Sequence, residues 1–228
     1  MRPELILFDL DGTLVETAPE IADAVNDTLR DLGWPPVDDA QVARWIGHGT
    51  GALLVQALAR ASARTPEAVR ADEGHAAVVA RYDRHYARRC GTRSRPYPHV
   101  RETLAALRER GTRLAIVTNK ETRYTEHVLD AHRLRGAFDR IVCGDTGATR
   151  KPDPAGVLEC LRAFGVASAR ALFVGDSSID ADTARRAGIA VWLLPYGYNL
   201  GEPVAACAPD RLIDDFRALL GNDEEDLR

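Results

Sequence analysis

A run of four apolar residues near the start of the chain, Leu5–Phe8, constrains the fold most because it has no polar face. A strand without a polar face has to be covered on both sides, which is typical of parallel sheets packed between helices. The residues that follow directly, 9–13, read Asp-Leu-Asp-Gly-Thr. The start of the chain therefore predicts a buried parallel strand that ends in two carboxylates and a turn.

Similar apolar runs alternate with helical segments in the second half of the chain. The sequence predicts further strands at 114–117, 141–143, 171–174 and 190–194, and helices at 101–110, 154–164 and 182–187. Regular alternation of strands and helices indicates an open parallel sheet with helices on both faces. We therefore predict an α/β fold whose core is a Rossmann-like open parallel sheet.

The segment between the first strand and the later ones has a helical pattern throughout. Apolar residues recur at helical spacing from Ile21 to Leu32 and stop at Gly33, and Thr65 followed by Pro66 is typical of a helix start. The sequence pattern predicts no strand in this segment. We expect a core domain of residues 1–15 and 90–228 that is interrupted by an all-helical insert, residues 16–89.

Charge and cysteine content argue against several classes of partner. Thirty basic and 34 acidic residues give a net charge of -4, so nothing favours binding to nucleic acid or to an anionic membrane surface. No apolar run approaches the ~20 residues of a membrane span. The four cysteines are scattered without metal-site or disulfide spacing. We expect a cytoplasmic protein with free thiols, either a monomer or a homodimer.

Polar residues stand where the predicted strands end, and ligands of open α/β sheets bind beyond those carboxyl ends. Asp9 and Asp11 alternate along an extended chain, so their side chains point to the same side. Two adjacent carboxylates repel each other, and a hard divalent cation with oxygen ligands relieves that repulsion. A plain solvated strand end is the alternative interpretation.

Two further strand ends carry groups that could bind an anion. Thr118 and Asn119 follow the second strand of the core, although Thr is also a common helix cap. Lys151 begins a turn stiffened by Pro152 and Pro154, and it is one of only two lysines, with Lys120, among 30 basic residues. A lone surface charge is the alternative for Lys151. A lysine close to phosphate contributes roughly 1 kcal/mol in water and about 4 in a partly shielded cleft.

The strand at 171–174 is followed by Gly-Asp-Ser-Ser-Ile-Asp. Asp176 could complete a cation site at this strand end. Asp180 opens the next helix, where an acidic residue is favourable even without a ligand.

In these motifs the chain resembles the haloacid dehalogenase-like superfamily of phosphohydrolases. Its four motifs are matched, in order, by 9–13, Thr118-Asn119, Lys151-Pro152, and Gly175-Asp176 with Asp180. The helical insert resembles the cap domain that this superfamily carries between its first and second motifs. The resemblance covers essentially the whole chain.

The resemblance implies a role for each matching residue. Asp9 would attack phosphorus and become an aspartyl-phosphate, and Asp11 would protonate the leaving alkoxide and then deprotonate the hydrolytic water. Thr118 and Lys151 would bind the transferring phosphoryl group, with Asn119 beside them in the substrate site.

The same resemblance implies a Mg²⁺ site. Its ligands would be the Asp9 carboxylate, the main-chain carbonyl of Asp11 and Asp176, with Asp180 steadying Lys151 or a metal-bound water.

Within the superfamily, an acidic residue at Asp11 argues against dehalogenases, and the lysine-free insert argues against phosphonate-cleaving relatives that use a cap lysine. In the stretches 45–49, 95–100 and 196–202 the chain resembles bacterial phosphatases of 2-phosphoglycolate. We therefore expect a small phosphorylated metabolite as substrate. Arg44 or His48, in a glycine-flanked loop of the cap, would bind its carboxylate. The alternative is that Arg44 is a solvated charge and His48 an ordinary loop residue. A phosphosugar, an amino-sugar phosphate or pyrophosphate is the alternative substrate, and a regulatory protein that binds a phospholigand without turnover is the non-enzyme alternative.

Overall fold

The computed structural model describes residues 2–221, so residues 1 and 222–228 of the predicted core domain lie outside the described part. The strands of that part are β1 Leu5–Phe8, β2 Val15–Glu16, β3 Arg95–Pro96, β4 Arg113–Val117, β5 Arg140–Val142, β6 Ala171–Gly175, β7 Ala190–Leu193 and β8 Arg211–Leu212. Its α-helices are α1 Ala18–Asp31, α2 Asp39–Ala43, α3 Thr50–Ser62, α4 Pro66–Arg70, α5 His75–Arg89, α6 Val100–Glu109, α7 Thr122–Ala131, α8 Ala155–Phe164 and α9 Ser178–Ala187.

Six strands form one parallel sheet in the order β5-β4-β1-β6-β7-β8. The first strand, β1, pairs with β4 on one side and with β6 on the other, and all four of its residues are fully buried. Complete burial explains why this strand has no polar face. The prediction of a Rossmann-like α/β core is confirmed.

The two faces of the sheet have separate apolar cores. Alternation along β1 places Ile6 and Phe8 in one buried cluster and Leu5 and Leu7 in the other. Phe8 stacks on Phe216, with ring centroids 5.7 Å apart. Because both faces are anchored in this way, the carboxyl ends of β1, β4 and β6 are held rigidly at one edge of the sheet.

Three strands and one helix boundary differ from the sequence-based expectation. The two-residue strands β2 and β3 pair with each other outside the main sheet, and β8 adds a short edge to it; such short strands have no periodicity to detect. The helix predicted at 182–187 begins earlier, at Ser178. Ser177 caps it, because its hydroxyl oxygen accepts a hydrogen bond from the Asp180 amide and Asp180 returns one.

Helices α1 to α5 follow one another between residues 18 and 89 with no strand among them. The chain passes twice between the main sheet and this helical segment, and these two crossings pair with each other as β2 and β3, where Val15 lies opposite Pro96. Glu20 on α1 is fully buried, and its Oε2 accepts hydrogen bonds from the amides of Gly91, at 2.8 Å, and Ser94, at 3.0 Å. The two crossings are therefore fastened to each other. Within residues 2–221, no helix combines the length and apolar character needed to cross a bilayer.

Candidate active site

Asp9 lies at the carboxyl end of β1, where the main chain leaves the sheet. Its Oδ1 accepts a hydrogen bond from the Leu10 amide at 2.7 Å and lies 3.0 Å from Lys151 Nζ. Its Oδ2 receives no hydrogen bond from any residue within 2–221, and Asp9 lines a cleft between the sheet and the helices α3 and α5. Burial raises the pKa of Asp9 to about 6, against the lowering effect of the Lys151 ammonium. Asp9 thus has one fixed oxygen and one that a ligand could reach.

Lys151 is brought to Asp9 by the loop between β5 and α8. Asn119 holds this loop, because its Oδ1 accepts from the Lys151 amide at 2.8 Å and its Nδ2 donates to the Lys151 carbonyl at 3.0 Å. The ammonium lies 2.7 Å from Asp180 Oδ1 as well as close to Asp9. Burial lowers the pKa of Lys151, but the charges of Asp180 and Asp9 outweigh it and raise the pKa to about 12. The side chain is therefore a fixed cation.

Three buried carboxylates, those of Asp9, Asp176 and Asp180, each have an oxygen within 4.8 Å of the others. Burial, followed by the charges of Asp180 and Asp9, raises the pKa of Asp176 well above its ordinary value. Within residues 2–221, the ammonium in contact with this cluster is that of Lys151, which lies beside Asp9 and Asp180. A set of oxygen donors with surplus negative charge fits a hard divalent cation.

The three carboxylates differ in how many hydrogen bonds they already make. Asp180 Oδ2 accepts from the amides of Asp176 and Ser177, both at 3.1 Å, and from the Ser177 hydroxyl at 2.7 Å, while its Oδ1 accepts from Lys151. Asp176 accepts from the Thr13 hydroxyl at 2.6 Å and from the Tyr198 amide. Asp180 is thus fully engaged in holding its neighbours, whereas Asp9 retains a free oxygen.

The turn after β1 depends on a glycine. Gly12 has a φ of +83°, and a Cβ at this position would collide with Asp176 Oδ2 and approach Tyr198 to 2.8 Å. A side chain would therefore be strained and would displace a carboxylate of the acidic cluster.

Thr118 and Asn119 follow β4 at the same edge of the sheet, and both are buried and line the cleft. The Thr118 hydroxyl oxygen accepts from the Lys120 amide at 3.3 Å, and its hydrogen has no acceptor among residues 2–221. It can therefore donate to a ligand. Asn119 is used structurally, since its Nδ2 also donates to the Gly47 carbonyl of the helical segment at 2.9 Å.

Asp11 points its carboxylate to a group that the sequence interpretation did not assign to the site. Its Oδ1 accepts from the Thr17 hydroxyl at 2.7 Å and from Lys120 Nζ at 3.0 Å, and its Oδ2 lies 3.2 Å from Lys120 Nζ. Lys120 in turn donates to the Tyr86 hydroxyl of α5 at 2.6 Å. The sequence contains one indication that Lys120 belongs to the site: it is one of only two lysines, and it directly follows Thr118 and Asn119.

Arg44 and His48 are placed differently from the other predicted site residues. Both are exposed, and neither lines the cleft that contains Asp9. Arg44 lies over Gly201 in a neighbouring depression. The residues of this loop region that do line the cleft are Ile46, Gly47, Gly49, Thr50 and Leu53. The structure thus brings together the side chains of Asp9, Thr118, Asn119, Lys151, Asp176 and Asp180, with Asp11 beside them, and leaves Arg44 and His48 at the periphery.

Comparison with known proteins assigns the class. Residues 6–194 match the family described as haloacid dehalogenase-like hydrolase, so the chain belongs to that family, as its motifs predicted.

Among its relatives, the chain is 37% identical over 221 residues to a phosphoglycolate phosphatase of Aliivibrio fischeri, covering 95% of each protein. It is 40% identical to a phosphoglycolate phosphatase of Pseudomonas syringae pv. tomato, covering 96% of this chain and 79% of that one. A crystal structure of a predicted phosphoglycolate phosphatase from Haemophilus somnus superposes with a TM-score of 0.90 at 35% identity, covering 96% of this chain and 97% of the other. The prediction of a phosphatase of this family is confirmed.

Proposed function

We propose that the chain is a Mg²⁺-dependent phosphatase that hydrolyses a small phosphate monoester through an aspartyl-phosphate on Asp9, with 2-phosphoglycolate as the favoured substrate. The observation that carries the proposal is the free Oδ2 of Asp9 beside the fixed ammonium of Lys151 in an acidic cluster. The phosphoglycolate phosphatases among the relatives support the choice of substrate.

In the first half of the proposed reaction, Asp9 Oδ2 attacks phosphorus, the bond to the leaving oxygen breaks, and Asp11 gives a proton to that oxygen. Lys151 and the Thr118 hydroxyl bind the phosphoryl oxygens and stabilise their charge. In the second half, Asp11 takes a proton from water, which attacks phosphorus and releases Asp9. Asp180 positions Lys151 throughout.

A cation would be held by Asp9, Asp176 and the main-chain carbonyl of Asp11, with Asp180 behind them. When bound, Mg²⁺ would offset the negative charge that gathers on the phosphoryl oxygens. The need for several groups follows from the difficulty of the reaction. Enzymes accelerate phosphate monoester hydrolysis by up to ~10²¹, whereas one acid or base contributes typically 10²–10⁴.

We propose that the helical segment, residues 16–89, is a cap domain that moves to admit the substrate. The cleft has a cavity volume of about 40 Å³, which is room for only a few water molecules. Thr50 donates to Glu121 at 2.8 Å and Asn119 to the Gly47 carbonyl at 2.9 Å, and these four residues all line the cleft. Tyr86 and Asp83 on α5 add hydrogen bonds to Lys120 and Tyr124 of the core. In this proposal, separation of these contacts enlarges the cleft for a phosphate ester.

For a carboxylate-bearing substrate, the cap loop should supply the partner of the carboxylate. We propose Arg44 or His48 for this role, reached by rearrangement of the loop when substrate binds. Arg44→Ala should raise the KM for 2-phosphoglycolate far more than the KM for p-nitrophenyl phosphate. Arg70→Ala serves as the matched control, because Arg70 is an exposed arginine of α4 that forms an ion pair with Glu67 of the same helix. Equal effects of Arg44→Ala on both substrates would contradict the role.

One observation favours a second candidate substrate. Glu121 lines the same cleft and would repel a carboxylate, which favours an ester whose alcohol part carries no negative charge, such as a phosphosugar or an amino-sugar phosphate. Pyrophosphate remains a third possibility to assay.

A panel of these esters, assayed with Mg²⁺ and with a chelator, tests the proposal. We expect turnover only with the cation and the highest kcat/KM for 2-phosphoglycolate. Turnover that survives chelation would contradict metal dependence, and a higher kcat/KM for a phosphosugar would change the substrate. Ligand binding without any turnover would contradict the phosphatase.

A further inference from the structure

Lys120 is a second buried lysine at the edge of the sheet, separate from the phosphoryl-binding Lys151. Its side chain is 4% exposed and lies at the end of β4, between the core and the helical segment. In the described part of the chain, its ammonium makes polar contacts with two side chains, namely the carboxylate of Asp11 and the hydroxyl of Tyr86. Burial lowers the pKa of Lys120, but the Asp11 charge outweighs it, so the group remains an ammonium.

The contacts of Asp11 are unequal. Among residues 2–221, Oδ1 accepts from both Thr17 and Lys120, whereas Oδ2 accepts from Lys120 alone, at 3.2 Å. Two strong donors on one oxygen fix the rotation of the carboxylate, and the other oxygen keeps lone-pair capacity for a further partner. The oxygen that can exchange a proton with a substrate is therefore Oδ2.

Lys120 is held in place from the helical segment. Tyr86 on α5 accepts its hydrogen bond at 2.6 Å, and the ammonium also lies 4.8 Å from the centre of the Tyr86 ring. Tyr86 is 1% exposed and packs between Tyr82 and Tyr124, with ring centroids 5.6 Å and 4.5 Å away. Two tyrosines of α5 and Tyr124 of α7 in the core therefore form one aromatic cluster, and a single lysine separates this cluster from Asp11.

We propose that Lys120 is a positioning residue for the protonation of the leaving group: Tyr86 fixes its ammonium, and the ammonium fixes Asp11 so that Oδ2 meets the leaving oxygen. This inference rests on the proposed function. In the step concerned, the bond from Asp9 to phosphorus forms, the bond from phosphorus to the leaving oxygen breaks, and the proton of Asp11 moves to that oxygen. Lys120 keeps its own protons and stabilises the Asp11 carboxylate that remains.

The arrangement also links the helical segment to the chemistry. The hydrogen bond to Tyr86 exists only while α5 lies against the core, so Asp11 is held by Lys120 and Tyr86 together only in the closed arrangement. Lys120 could instead bind a carboxylate of the substrate, but its ammonium would then have to break its contact with Asp11 or with Tyr86. Kinetics of Lys120 and Tyr86 variants distinguish these two roles.

The test compares Lys120→Met and Tyr86→Phe with Tyr124→Phe as the matched control. Tyr124 belongs to the same aromatic cluster, but its hydroxyl donates to Asp83 at 2.6 Å and does not touch Lys120. The substrates are alkyl and aryl phosphates of graded leaving-group basicity, including p-nitrophenyl phosphate, and the readout is kcat/KM. This parameter covers the steps up to departure of the leaving group, so the later hydrolysis does not enter.

We expect Lys120→Met to lower kcat/KM for alkyl phosphates by about 10²-fold and for p-nitrophenyl phosphate by less than about tenfold, since only the poor leaving group needs the proton. Tyr86→Phe should lower kcat/KM with the same dependence on the leaving group, but by a smaller factor. Tyr124→Phe should show no dependence of kcat/KM on the leaving group. Lys120→Arg, which keeps a cation near Asp11, should restore part of the loss.

An equal loss for all leaving groups would overturn the positioning role. A rise in KM confined to esters with a carboxylate would assign Lys120 to substrate binding instead and would also overturn it. If Lys120→Met does not fold, Tyr86→Phe alone decides by the same criterion. Absence of phosphatase activity in the wild-type chain is a different outcome, because it would remove the proposed function itself.

Discussion

Replacing Lys151 by methionine is the sharpest test of how the acidic cluster is held together. The substitution keeps the length of the side chain and removes an ammonium that is 2% exposed. That ammonium lies 3.0 Å from Asp9 Oδ1 and 2.7 Å from Asp180 Oδ1. Without it, the carboxylates of Asp9, Asp176 and Asp180 face one another with no cation from the protein.

The size of the effect follows from these distances. At an effective dielectric constant of about 20, each of the two ion pairs contributes an attraction of about 6 kcal/mol, which the cost of burying the ammonium offsets in part. Breaking a buried pair typically costs about 3–5 kcal/mol. We therefore expect the free energy of unfolding of Lys151→Met to fall by about 3–5 kcal/mol in metal-free buffer.

The loss of unfolding free energy in Lys151→Met should depend on pH, and the pKa of Asp9 determines whether it grows or shrinks as the pH rises. Its pKa in the folded wild-type protein is raised to about 6, so folding favours the protonated form. An acid with a raised pKa destabilises the fold as the pH rises through that value. Without Lys151 the pKa rises further, so the deficit of Lys151→Met relative to wild type should grow as the pH increases through and above about 6.

Urea unfolding of wild type, Lys151→Met and Lys151→Arg, with and without Mg²⁺, measures these differences, and kcat measured on the same samples should fall about 10²–10³-fold for Lys151→Met. Added Mg²⁺ should recover part of the stability of the methionine variant because it supplies a cation to the cluster. An unfolding free energy within about 1 kcal/mol of wild type, with turnover retained, would refute the assignment of Lys151.

Three further predictions concern single positions. Asp180→Asn should keep the fold of α9 but loosen Lys151, so kcat should fall at least about tenfold with KM for a simple aryl phosphate little changed; an unaltered kcat would contradict the positioning role. Gly12→Ala should destabilise the protein by about 1–3 kcal/mol in urea unfolding, since the new Cβ would collide with Asp176; a neutral result would contradict the close approach. Asp27 has a lowered pKa, because Arg30 and Arg89 outweigh its burial, so its stabilisation is present above about pH 4 and is lost as the pH falls below that. Asp27→Asn should therefore cost about 1 kcal/mol at neutral pH and nothing in strong acid.

The main sheet could be predicted because its strands are buried on both faces. Leu5–Phe8 and the runs at 114–117 and 171–174 are continuous apolar segments. Asp9 and Thr118 directly follow the first two, and Asp176 follows the third after one glycine. The two-residue ladder of β2 and β3 had no such signal. It forms because the two crossings of the helical segment meet there, which is a tertiary event.

The candidate site was predictable where a motif stands at a strand end and less so elsewhere. The places of Asp9, Thr118 and Asp176 followed from that rule, whereas Lys151 lies in the loop between β5 and α8. The partnership of Lys120 with Tyr86 joins residues 34 apart in the chain, on different parts of the fold, and no spacing reveals it. The direction in which a loop such as that of Arg44 points also depends on packing that a sequence pattern does not contain.

The central claim is that Asp9 carries the phosphoryl group during turnover. Acid quenching of the enzyme during hydrolysis of a phosphate ester, followed by mass analysis of its peptides, tests it most directly. We predict a phosphoryl group on the peptide that contains Asp9, absent from Asp9→Asn, which should fold normally and show no turnover. Rapid turnover with no phosphorylated peptide, or with the group on another residue, would contradict the account.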